Sequence, residues 1–99
     1  MKQGPNFLTI LEEKDAEYAS LIKAMIKKEN QDTALPAKIK ALIIMALDAS
    51  HGMGMGVKLL AEQARKKGAT EQEILETIEL VGNTCGLQGL ITALNALKD

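Results

Sequence analysis

The chain has 99 residues, 46% apolar and 25% charged, with a formal net charge of −1, which describes one small folded domain and excludes a disordered segment. Balanced acids and bases, with Phe7 and Tyr18 the only aromatic residues, leave neither a basic footprint nor a stacking platform for nucleic acid. The longest apolar run, Ala41 to Leu47, is too short to span a bilayer, the N-terminal residues lack signal-peptide shape, and a lone cysteine forms no internal disulfide, so a cytoplasmic protein is expected.

Valine occurs only at positions 57 and 81, while Ala, Leu, Lys, Glu and Met are plentiful, so helix is favoured nearly throughout. Met1 to Gly4 reads as a loose tail, and Pro5 can open a short helix through Leu11. From Asp15 onward Tyr18, Leu21, Ile22, Met25 and Ile26 recur at helical spacing, until the polar loop Asn30-Gln31-Asp32-Thr33. Pro36 suits the first turn of the next helix, where its missing N–H costs nothing. Ile39, Leu42, Ile43 and Ala46 form one face of that helix, and Ala41, Ile44, Met45 and Leu47 make the rest apolar too. A helix apolar all round belongs at a bundle centre or in a subunit interface.

The run Ser50-His51-Gly52-Met53-Gly54-Met55-Gly56 then breaks the pattern. Val57, Leu60, Ala61 and Ala64 mark a following helix, with Arg65, Lys66 and Lys67 in its last turn and Gly68 just past its end. Basic groups there complement the helix dipole, and glycine accepts the left-handed conformation. Thr70-Glu71-Gln72-Glu73 matches a capping box, followed by Ile74, Leu75, Ile78 and Val81 as an inner face. Gly82-Asn83-Thr84 reads as a second break with Thr84 as cap, and Leu87, Leu90, Ile91, Leu94 and Leu97 run along a last helix. The expected fold is all-α: a single domain over residues 1–99 with five to six helices.

Four features carry a likeness: Leu35-Pro36 leading into a buried helix, Ala64 with Gly68-Ala69-Thr70-Glu71-Gln72-Glu73-Ile74, the breaker Gly82 to Gly86, and Ala93-Leu94-Asn95-Ala96-Leu97. Over residues 35–97 the chain resembles the carboxymuconolactone decarboxylase and alkylhydroperoxidase-D family. The resemblance implies an alkylhydroperoxidase-D-like helical fold, homo-oligomers (trimers or hexamers), and one of two chemistries. The peroxiredoxin-like branch uses a Cys-x-x-Cys pair at the start of the helix before the GAT segment, a histidine four residues later and an upstream glutamate. The decarboxylase branch does acid–base work in the same pocket. Counted back from Gly68, the cysteine positions fall on Met53 and Gly56, the histidine on Leu60 and the glutamate on Ala41. A thioether forms no thiolate, and neither Leu nor Ala moves a proton. The dithiol centre is therefore expected to be lost.

Two residues remain as catalytic candidates. His51, the sole histidine, can serve as a base near neutral pH, with Asp48 three residues earlier on its helix face; the alternative is a helix-end histidine bonded to exposed carbonyls. Cys85 is either a reactive thiol at a helix start or a small apolar residue. The expected pocket is lined by Gly52, Met53, Met55, Gly56 and Leu60. The glycines ahead of Lys58 could present amides to an anion, but they match no nucleotide-binding pattern and more commonly allow close helix approach. Met53 and Met55 suit packing better than a copper ion, and Glu62 reads as a solvated charge. No cofactor and no metal are expected. Three functions follow: a divergent family member with His51 acid–base chemistry on an unidentified small molecule, a non-enzymatic oligomeric small-ligand-binding or assembly module, and a one-cysteine peroxidase through Cys85.

Overall fold

The computed structural model describes residues 6–98, so the expectations for Met1 to Pro5 lie outside the described residues. All regular structure described is helical: α1 (Asn6–Lys14), α2 (Ala16–Glu29), α3 (Ala37–Ser50), α4 (Gly54–Lys66), α5 (Glu71–Ala93) and a closing 3-10 turn (Leu94–Leu97). The expected all-α architecture is the observed one. No described helix is long and apolar enough to cross a membrane.

The chain divides into two compact units, residues 1–31 and 32–99. In the first, α2 folds back on α1 about Asp15, whose carboxylate accepts a 3.0 Å bond from the Tyr18 N–H and so caps α2. A Lys23–Glu12 ion pair ties the two helices. Of the apolar stripe expected on α2, Tyr18, Leu21 and Met25 are exposed while Ile22 and Ile26 are partly buried, and Phe7 and Ile10 of α1 are exposed as well.

The second unit holds the main core. Ala41, Leu42, Met45 and Ala49 of α3 meet Val57, Ala61 and Ala64 of α4, with Ile74, Ile78 and Val81 of α5 and Ala93 and Ala96 closing the cluster. So many alanines let the helix backbones approach closely, and no polar or charged residue is buried among the described residues. Lys38 of α3 pairs with Glu73 of α5 at 3.1 Å.

The helix ends follow from local sequence. Pro36 offers α3 no side-chain cap; Asp32, five residues before Ala37, accepts its N–H at 2.7 Å instead. Gly52 and Gly68 stand just past α3 and α4 with φ of 75° and 101°. Behind them Met53 N–H returns to the Asp48 carbonyl and Ala69 N–H to the Ala64 carbonyl, each at 2.9 Å. Two successive Schellman closures result. The Thr70–Glu73 capping box forms in both directions, at 3.0 and 2.9 Å. Arg65, in the last turn of α4, holds the Glu71 carboxylate with two bonds of 2.6 and 3.0 Å and donates a third, at 2.9 Å, to the Ala96 carbonyl.

Within the breaker Gly82 to Gly86 the break falls at Gly86, the one non-helical residue inside α5, and not at Gly82-Asn83-Thr84. Thr84 caps nothing; its hydroxyl donates to the Leu80 carbonyl within the helix, 2.8 Å away. Gly82 serves contact rather than bending, because a Cβ there would lie 3.4 Å from Leu90 Cδ1. In a straight helix residues eight apart are separated by roughly 12 Å along the axis, so the chain turns sharply back at Gly86. The last expected helix ends earlier than Leu97, in the 3-10 turn.

Candidate functional site

Two places in the second unit concern function: the corner between α3 and α4, and a groove between α3 and α5.

At the corner His51 is the residue just past α3 and is exposed. Its Nδ1 lies 2.8 Å from the Leu47 carbonyl oxygen, which can only accept, so Nδ1 carries the proton and Nε2 is left as the acceptor. Ser50 Oγ donates to the same carbonyl at 2.7 Å and stands 3.4 Å from Nδ1. Serine and histidine thus both point protons at one oxygen, and Ser50 has no base to activate it.

Asp48 lies one turn earlier, and its carboxylate rests against Gly56: a Cβ on Gly56 would collide with it. The first turn of α4 needs glycine at that point for the helices to meet. Gly54 is also close to Asn95, whose Nδ2 would stand 2.9 Å from a Cβ there. Burial pushes the Asp48 carboxyl above its ordinary 3.8, with the His51 charge opposing. Glu71 and Glu73 go the other way, held below 4.5 mainly by the Arg65 side chain and by the Thr70 backbone N–H.

The signs set a pH prediction. A raised carboxyl pKa favours the neutral acid in the fold, so charged Asp48 weakens the fold at neutral pH. That weakening is relieved as pH falls through the raised value toward 3.8. Asp48→Asn should therefore unfold at a slightly higher urea midpoint than wild type at pH 7, with the gap closing over that window. A midpoint at pH 7 below that of wild type would show that the charge is favourably held. Glu71 and Glu73 contribute stability above 4.5 that disappears as pH drops through their lowered values, in both proteins alike.

None of the positions that the resemblance assigned to the dithiol relay carries a reactive group. Met53 precedes α4 and is exposed, Gly56 lies against Asp48, Ala41 is buried in the core, and Leu60 packs against that core from outside.

The groove has a volume of about 640 Å³. Ile39, Leu42, Ile43, Ala46, Leu47 and Ser50 line it from α3, and Thr77, Leu80, Val81, Thr84 and Cys85 from α5. Cys85 therefore faces this groove. His51 and the five residues expected to line a pocket (Gly52, Met53, Met55, Gly56 and Leu60) are not among its lining residues. All three groove hydroxyls are already committed. Ser50 donates to Leu47, Thr77 to Glu73 and Thr84 to Leu80, each to a carbonyl of its own helix at 2.7–2.8 Å. Cys85 Sγ has the Thr84 hydroxyl 3.5 Å away, and no acid or base lines the groove to exchange a proton with it. Ile43, Leu47, Leu80 and Thr84 were the residues sequence reasoning missed. For Ile43 and Leu47 the one signal was an α3 apolar on every face; Leu80 and Thr84 of α5 had none.

No group of His, Cys, Asp and Glu suited to a metal ion occurs among the described residues. No curated protein and no solved structure matches the chain. Residues 16–99 match the family model described as the carboxymuconolactone decarboxylase family, and that span includes α2, α3, α4, α5 and the closing turn. The chain belongs to the carboxymuconolactone decarboxylase family.

Proposed function

We propose that this chain is a divergent, homo-oligomeric member of its family that works without a dithiol centre, as an assembly and binding module rather than a peroxide-reducing enzyme. One observation carries the reading. The four relay positions hold Met53, Gly56, Leu60 and Ala41, none of which carries a thiol or a titratable side chain. The lone thiol faces a groove without an acid or base, which disfavours a one-cysteine peroxidase.

A second reading, acid–base chemistry at the α3–α4 corner, is favoured by the bond that fixes the His51 tautomer and leaves Nε2 to accept. The small molecule it would act on is unassigned.

Purified protein supplied with hydrogen peroxide or an alkyl hydroperoxide and a dithiol reductant should show turnover no faster than buffer. A small-lactone screen should give equal results for wild type, His51→Ala and Cys85→Ser. Peroxide turnover that survives Cys85→Ser would overturn the loss of peroxidase chemistry, and a lactone reaction abolished by His51→Ala would replace the module with the acid–base reading.

A further inference from the structure

We propose that the α3–α5 groove receives a helical ridge of a second copy of this chain, the ridge formed by Leu87, Ile91 and Leu94. This rests on the homo-oligomer reading above and names its contact.

A site for a small molecule presents a few polar groups that fix the ligand's orientation. In this groove each hydroxyl spends its proton on its own helix and keeps only acceptor lone pairs, and apart from Cys85 the other lining residues are apolar. An apolar helix face needs no such groups, and insertion of one into a groove is a common recognition mode.

The chain carries a matching face. Leu87, Ile91 and Leu94 follow one another at i, i+4 and i+7, and they are 70%, 53% and 40% exposed. Gly89 and Ala93, between them, turn into the core. The ridge begins two residues past Cys85, the last residue of the groove. Groove and ridge thus lie on either side of the Gly86 bend, so that one copy carries both halves of a two-fold contact in which each gives a ridge and receives one.

The charge pattern agrees. Between Glu79 and Lys98 no residue is charged, and the same holds from Ala41 to Leu47. Depletion of charge marks the centre of a protein interface.

The experiment pairs a charge on the ridge with one on the groove wall. At micromolar concentration, sedimentation should show wild type as an oligomer, with Leu87→Glu and Leu80→Lys each reduced to half the mass or less. Both variants should keep wild-type helical circular dichroism. Mixed in equal amounts they should reassociate, because the glutamate ridge then enters the lysine groove while the unaltered ridge enters the unaltered groove. A wild-type oligomer whose mass neither variant changes overturns this contact and leaves the oligomer reading standing. A wild-type monomer overturns both. Two variants that stay apart when mixed overturn the pairing of ridge with groove.

Discussion

Gly86→Ala should cost about 1–3 kcal/mol of folding stability, at the upper end if the bend at this residue is to survive. Gly86 has φ 77° and ψ −169°, a region that residues with a Cβ hardly populate. Nothing lies within 4 Å of the place where its Cβ would stand. The loss is therefore a property of the backbone and cannot be relieved by repacking neighbours. If the chain instead relaxed toward a straight helix, Leu90 would leave Gly82, and the approach of Gly89 to Cys85, 2.7 Å for a built Cβ, would disappear. Urea unfolding monitored by circular dichroism measures the loss as a lower midpoint at an unchanged slope. Gly68→Ala is the control, because its left-handed φ of 101° closes a helix and does not redirect one. A smaller loss at Gly86 than at Gly68 would show that the bend is not set by that backbone conformation.

Met45→Ala and Leu47→Ala should separate the two faces of α3. Met45 is fully buried, and truncating such a side chain typically costs 2–5 kcal/mol through lost transfer energy and the remaining cavity, with about 3 kcal/mol expected here. Leu47 is 53% exposed, so its truncation should change the unfolding of the isolated chain by no more than about 0.5 kcal/mol. The protein concentration distinguishes them further. The Met45 loss should be the same at every concentration, whereas any Leu47 loss should grow as assembly proceeds, since a partner stabilises only what it binds. Equal losses at both residues in dilute protein would mean that Leu47 is packed within its own unit.

Much of the second unit was legible in sequence because its signals are local. The Thr70–Glu73 box, Gly68 behind its basic turn and the spacing of Val57, Ala61 and Ala64 each depend on residues within a turn or two. The break in α5 was misread for a physical reason. Glycine marks both bends and close contacts, and only the position of Leu90 distinguishes the second use at Gly82 from the first at Gly86. The groove was out of reach altogether, since it joins residues more than twenty-five positions apart on two helices. The family spacing located the Met53–Gly56 corner, and the helix-end position of His51 pointed to a bond with an exposed carbonyl, which Leu47 accepts from Nδ1.

The reach of Arg65 has a consequence for how the protein opens. One guanidinium binds both the start of α5, through Glu71, and the end of the chain, through the Ala96 carbonyl. A short 3-10 turn ordinarily opens alone, at little free-energy cost. Here the closing turn cannot lift away without releasing an anchor that also steadies the α4–α5 connection. Backbone amides in those two places, distant in sequence, are therefore expected to exchange with solvent together, and to do so independently in Arg65→Ala.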